Sequence, residues 1–150
     1  MMPDASAHID IAASPQRVFE LVSSLRGLSE CAEEYSGGKW LGASGPSVGA
    51  RFRGLNKRGW RRWPTTSTVT DCSASRFAFE VKSLGLAVSR WQYDIEPTAG
   101  GCRVTESTWD RRPAWYKPIT VVATGVRDRA VANQANIEST LARLKQAAEG

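Results

Sequence analysis

Glu106 is the residue of this chain best equipped to move a proton. It falls on the alternation Cys102, Val104, Glu106, Thr108, with Arg103, Thr105, Ser107 and Trp109 on the other phase. A strand here puts the carboxyl on the face that Val104 marks as inward. Walled by Trp91, Tyr93 and Phe79, it would lose solvation, rise in pKa and become suited to acid–base work. The competing reading is a structural glutamate, hydrogen-bonded to Thr, Asn or Arg neighbours. Tyr93 shares its strand face with Trp91 and Ile95, and its hydroxyl needs a partner, so it is the second candidate for proton transfer.

Other polar groups could orient a ligand rather than react with it. Asn56 shares a strand face with Phe52 and could hold a carbonyl or hydroxyl, or else satisfy backbone groups at the start of a hairpin. Trp63, Thr65, Ser67 and Val69 form one alternate set, in which Thr65 and Ser67 could hydrogen-bond a ligand or simply suit a pleated strand. Trp91, Tyr93 and Phe79 could stack on a ring-containing molecule, or pack as ordinary core.

Several chemistries are excluded by what is missing. His8 is the sole histidine. It lies opposite Ile9 and Ile11 near the N-terminus, which is a surface position and not that of a triad base. There is no second histidine, no cluster of carboxylates and no CxxC pair, so no metal site is expected. Cys31, Cys72 and Cys102 read as small buried residues and not as disulfide partners. No glycine-rich phosphate loop follows a strand, and no cofactor is expected.

The net charge is +5, but it is local. Six cations (Arg51, Arg53, Lys57, Arg58, Arg61 and Arg62) fall within residues 51–62 with no acidic residue among them, and they exceed the whole surplus. The basicity belongs to one hairpin, so nucleic acid is not expected as a partner. The run from Lys57 to Trp63 interleaves cations and aromatics. It is expected to be a solvated tip peripheral to the main function, with at most weak contact to an acidic surface, whether lipid or protein.

The elements that would position these residues follow from periodicity. Ala7–Ala12 reads as a first strand. Ser14-Pro15 opens a helix with Val18, Phe19, Leu21, Val22 and Leu25 on its apolar face, ended by Gly27. Leu28–Tyr35 reads as a second short helix and Ser36-Gly37-Gly38 as a turn. Strands are expected at 39–42, 50–56, 62–72, 76–83, 88–96 and 102–110, joined by short spacers, so an antiparallel meander is the economical topology. Between Arg111 and Gly125 two prolines forbid a regular strand, and Pro118 could start the closing helix. In that helix Val126, Ala130, Ile137, Leu141 and Leu144 form an apolar stripe. The order is β-α-α-β(six)-α.

With that order in hand, the chain resembles the SRPBCC (START-like, helix-grip) superfamily, in its polyketide cyclase/dehydrase-like branch. The resemblance is carried by HIDIAASPQRVFELVSS at 8–24, VGARFRGLN at 48–56, WPTTSTVTDCSASRFAFEV at 63–81, SRWQYDIEPTAGGCRVTEST at 89–108 and NIESTLARLK at 136–145. It implies an α+β helix-grip fold: a curved antiparallel sheet wrapped around a long C-terminal helix, two short helices after strand 1, and a ligand cavity between sheet and helix. Members include aromatase/cyclases, lipid and hormone carriers and quinone-binding proteins.

At 150 residues one domain, 1–150, is expected. No stretch approaches the roughly 20 apolar residues of a membrane span, and the N-terminus lacks a signal pattern, so the expected location is cytoplasmic. The leading expectation is a binding domain for a hydrophobic, ring-containing molecule such as a lipid, polyketide or quinone. The alternatives are a cyclase/dehydrase using Glu106 and Tyr93, and a protein- or membrane-interaction module using the 51–62 hairpin. Ligand contact is expected from Phe52, Asn56, Trp63, Thr65, Ser67 and Phe79, then from Trp91, Tyr93, Glu106 and Thr108. On the closing helix it is expected from Ala130, Gln134 and Ile137.

Overall fold

The computed structural model describes residues 2–42 and 45–150. Seven strands form one antiparallel sheet in the order β1-β7-β6-β5-β4-β3-β2. They are β1 (Ala5–Ile11), β2 (Tyr35–Leu41), β3 (Arg51–Arg58), β4 (Arg61–Ser73), β5 (Arg76–Ser83), β6 (Leu86–Thr98) and β7 (Gly101–Asp110). Strands β2 to β7 run as the expected meander, and β1 closes the order beside β7. The helices are α1 (Pro15–Val22), α2 (Leu25–Cys31), α3 (Lys117–Thr124) and α4 (Arg129–Glu149). This is the helix-grip arrangement, with α4 lying against the sheet.

Period-two patterning sets which side chains face α4. Phe52 and Gly54 are buried on β3, Thr65, Ser67 and Val69 on β4, Tyr93 and Ile95 on β6, and Val104, Glu106 and Thr108 on β7. Phe52, Val69, Tyr93, Ile95 and Val104 meet Ile137, Leu141, Leu144 and Ala148 of α4 and Val18 and Val22 of α1 in one core. On the opposite face of the sheet Arg90 gathers Thr70 Oγ1 (2.8 Å), Asp71 Oδ1 (3.1 Å), Glu80 Oε2 (3.1 Å) and Gln92 Oε1 (3.0 Å). That network pairs Arg90 with Asp71 and Glu80 on the face away from α4.

Four local expectations are corrected. First, α1 ends at Val22. Ser24 caps α2, accepting from the Gly27 amide at 3.2 Å, and Gly27 sits inside α2. A Cβ on Gly27 would lie 2.4 Å from the Leu21 carbonyl oxygen; the glycine is there for close packing and does not stop a helix. Second, α2 ends at Cys31, and Tyr35 begins β2. Third, Ser36 to Gly38 belong to β2, where a bulge shifts the register against β3 between Tyr35 and Gly37. Fourth, Pro118 starts the separate helix α3. Gly125, at φ 76°, ends α3, and Asp128 caps α4 by accepting from the Val131 amide at 3.2 Å. Val126 is buried between the two helices and belongs to neither.

Candidate functional site

A cavity of about 160 Å³ lies between the sheet, α2, α3 and α4. Its sheet wall is aromatic because β4 places the small Ser67 between β3 and β5. Phe52 pairs with Ser67 in register, and the Phe52 and Phe79 rings meet edge to face at 5.4 Å. Tyr35 and Trp40 of β2 extend the row, with centroids 6.2 and 5.3 Å from Phe52. Tyr35 reaches inward because residue 54 is glycine: a Cβ there would stand 2.6 Å from its ring. Trp63, Val81, Val88 and Trp91 complete the apolar lining.

The α4 wall is different in kind. Arg129, Asn133, Asn136 and Thr140 recur at steps of four, three and four and line the cavity. This polar stripe runs beside the apolar stripe Ile137, Leu141, Leu144 and Ala148 that enters the core. Such spacing puts side chains in one row on the helix surface.

Among the described residues that line the cavity, three polar atoms are buried without a hydrogen-bond partner: the Tyr35 hydroxyl, Glu106 Oε1 and Asn133 Oδ1. Glu106 is only 2% exposed. Burial pushes its carboxyl up to about 8, offset in part by the hydrogen bond from Tyr93, its register partner on β6. Glu106 is therefore mostly protonated, and neutral, at pH 7. Burial, then the proximity of Glu106, pushes Tyr93 well above the usual phenol range. Burial pushes Tyr35 up to about 12. All three are neutral hydrogen-bonding groups.

The other charged residues of the lining are paired, Glu33 with Arg143 among them. Glu34 accepts from Arg129 Nη1 at 2.7 Å and from Arg58 Nη1 at 3.2 Å. Arg112 holds Asp110 through two bonds, Nε to Oδ1 at 2.9 Å and Nη2 to Oδ2 at 2.7 Å, and donates to Thr120 of α3 at 2.6 Å. Burial acts to raise Asp110, but the Arg112 hydrogen bonds outweigh it and hold the carboxyl below its ordinary value.

Phe52, Asn56, Trp63, Thr65, Ser67, Phe79, Trp91, Tyr93 and Glu106 all line the cavity. Asn56 donates to Thr65 Oγ1 at 2.8 Å, and Trp91 Nε1 donates to Ser89 Oγ at 3.0 Å, so both are already held within the wall. Four expected residues are not part of the lining. Thr108 is buried, and its hydroxyl donates to the Arg90 carbonyl at 2.8 Å. Ala130 is exposed, because Arg129 and Asn133 carry the inward side of the first turn. Gln134 instead grips β1, donating to the Ser6 carbonyl at 3.0 Å and accepting from its amide at 3.1 Å. Ile137 is fully buried in the core stripe.

The residues the sequence reading passed over are Tyr35, Asp110, Arg112, Asn133 and Asn136. The spacing of Arg129, Asn133, Asn136 and Thr140 was the available signal, a polar row beside the apolar one.

The polyketide cyclase / dehydrase and lipid transport family matches residues 2–149. The chain belongs to that family. This agrees with the SRPBCC resemblance, in its polyketide cyclase-like branch. No curated protein matches by sequence. Among solved structures, the Polyketide_cyc-like protein Cgl2372 from Corynebacterium glutamicum is 27% identical, with 94% of this chain and 88% of that one covered at a TM-score of 0.63. Protein CV1439 from Chromobacterium violaceum is 13% identical, with coverage of 97% and 96% and a TM-score of 0.73. The di-domain ARO/CYC StfQ of the steffimycin biosynthetic pathway is 14% identical at a TM-score of 0.75, with 96% of this chain matching 49% of that one. The likenesses to CV1439 and StfQ bear on fold alone. No helix among the described residues is long and apolar enough to cross a membrane.

Proposed function

We propose that this family member binds a neutral, hydrophobic, ring-containing molecule in the cavity between sheet and α4, and acts as its carrier or sensor. The observation that carries the reading is the pairing of an aromatic wall with three buried, unpartnered polar atoms, Tyr35 hydroxyl, Glu106 Oε1 and Asn133 Oδ1. A buried polar group left unpaired costs about 1–3 kcal/mol. A bound molecule with a carbonyl or hydroxyl at one end would satisfy these atoms while its ring stacks on Phe52, Phe79 or Trp91. The size fits a modest ligand, since an apolar cavity of about 150 Å³ holds one benzene ring. Native mass spectrometry of the purified protein tests this. A retained small molecule supports it; protein that carries none and quenches no tryptophan fluorescence with any of a panel of phenols and quinones sinks it.

One observation favours a second reading, a cyclase/dehydrase. The Glu106 carboxyl, raised to about 8, both gives and takes a proton near neutral pH, where general acid–base catalysis is most effective. Tyr93, held neutral beside it, would donate a hydrogen bond and orient the carboxyl. Turnover of a reactive poly-ketone that disappears in Glu106→Gln while binding persists would move this reading to first place.

A further inference from the structure

We propose that the end of the molecule formed by α3 and the β3–β4 and β5–β6 hairpin tips docks on an anionic lipid bilayer. The proposal goes beyond ligand binding and does not depend on which molecule fills the cavity.

The first observation is an inverted helix. On α3 and the turn before it, Tyr116, Thr120 and Thr124 face the cavity, while Trp115, Ile119 and Val122 face solvent at 61%, 53% and 78% exposure. A helix on a water-facing protein surface normally points its apolar residues the other way. Two hairpin tips adjoin this face. Arg61, at the β3–β4 tip, donates to the Val122 carbonyl at 3.4 Å and lies over the Trp60 ring at 4.3 Å. The Tyr116 hydroxyl donates to the Ser83 carbonyl, at 3.4 Å, in the β5–β6 hairpin. These tips present Trp60 at 79% exposure and Leu84 at 86%. Five large apolar side chains thus share one end, on three adjoining elements.

Leu84 is the second, independent observation. It adopts φ 54°, followed by Gly85 at φ 79°. This is a tight hairpin turn in which asparagine–glycine is the relaxed choice. A leucine there is strained, and the strain presents the side chain to solvent with no packing in return.

Charge decides the occupant. Residues 51–62, 82–88 and 111–127, which form this end, contain no Asp or Glu, and Lys57, Arg62, Lys117 and Arg127 are exposed there. The acids that adjoin it are engaged: Glu34 with Arg58 and Arg129, Asp110 with Arg112, Glu80 with Arg90 and Arg111, and Asp128 as the cap that accepts from the Val131 amide. Two copies of so cationic a face repel each other. Tryptophan and leucine ringed by lysine and arginine match the interface of a negatively charged bilayer, where rings and aliphatic chains sit among headgroups and cations meet phosphates.

The test is co-sedimentation of the full chain with phosphatidylcholine vesicles, with and without about 30% phosphatidylglycerol, a surface dense enough for each cation to contribute. Binding is expected on the anionic vesicles only, weakening several-fold as salt is raised and the charges are screened. Lys57→Gln with Lys117→Gln should cost about 25-fold in partitioning, taking about fivefold for each cation at such a surface. Leu84→Asn with Val122→Ser should cost about tenfold or more by removing inserted apolar area. Neither residue lines the cavity, and asparagine relaxes the turn, so this variant should melt no lower than wild type apart from the small effect of Val122. Equal binding to neutral vesicles overturns the proposal, as does no binding to either kind. So does a wild-type dimer in sedimentation velocity that the Leu84/Val122 variant dissolves.

Discussion

Glu106→Gln should remove a loss of stability that the wild type suffers as pH rises. The carboxyl titrates at 4.5 when solvated and at about 8 in the fold. The folded value is the higher one, so the contribution of Glu106 is fully favourable below about pH 4.5. It is lost progressively as pH rises towards 8, because the folded chain keeps a proton that the unfolded chain releases. Between about pH 5 and pH 9 the loss amounts to about 4 kcal/mol at 1.36 kcal/mol per unit of pKa difference. Glutamine keeps the shape and can still pair with Tyr93 but does not titrate. For a chain of this length 1 kcal/mol moves Tm by roughly 2–4 °C. The difference in Tm, variant minus wild type, should therefore grow by about 10 °C from pH 5 to pH 9. Calorimetry of both proteins across that range measures it, and titrating groups that do not interact with Glu106 cancel in the difference. A flat difference would refute the buried neutral acid, and with it the proton-transfer reading of the site.

Asn133→Leu and Tyr35→Phe each remove an unpartnered buried polar atom, so stability should hold or rise by up to about 1 kcal/mol while ligand affinity falls by up to about tenfold; thermal melts and fluorescence titration with a phenol or quinone check both. Gly54→Val forces a side chain to within 2.6 Å of the Tyr35 ring, and the overpacking should cost about 1–3 kcal/mol, read by urea unfolding. Affinity for a carbonyl-bearing ligand should drop as pH passes about 8, since the ionised Glu106 can no longer donate; the Glu106→Gln protein should show no such drop in the same titration.

Strand alternation made most of the sheet wall legible. Phe52, Thr65, Ser67, Tyr93 and Glu106 face inward as a period of two requires, because each strand has one wet and one buried face. Helix ends were harder to read. Gly27 has the residue type of a helix stop, but its reason is a tertiary contact with Leu21, which no local pattern reveals. Ser36 to Gly38 look like a turn, yet β3 pairs with them through a bulge. The α4 face of the cavity departs from the sequence pattern for a physical reason. Periodicity equates polar with solvent, and Asn133 and Asn136 break that rule by facing a lined space. Ala130 failed for the converse reason: an apolar residue in phase with the stripe is exposed where Arg129 covers the inward side. Asp110 and Arg112 are close in sequence, but only the fold turns their pair towards the cavity.

The electrostatic layout ties these pieces to one kind of ligand. An ionisable group deep in an apolar space either finds a counter-charge or goes neutral. Glu34 and Asp110 take the first course, each held by arginine. Glu106 takes the second and keeps its proton, with Tyr93 neutral beside it and Tyr35 neutral elsewhere in the lining. The interior therefore offers donors and acceptors but no full charge. An anion placed there would meet Asn133 Oδ1, an acceptor, without a cation in reach, since Arg58, Arg112 and Arg129 are already bonded to carboxylates. A cation would have to deprotonate Glu106 to find its partner. Both costs vanish for a neutral molecule whose polar end both gives and accepts hydrogen bonds, and whose body is a ring of the size the aromatic wall can cover.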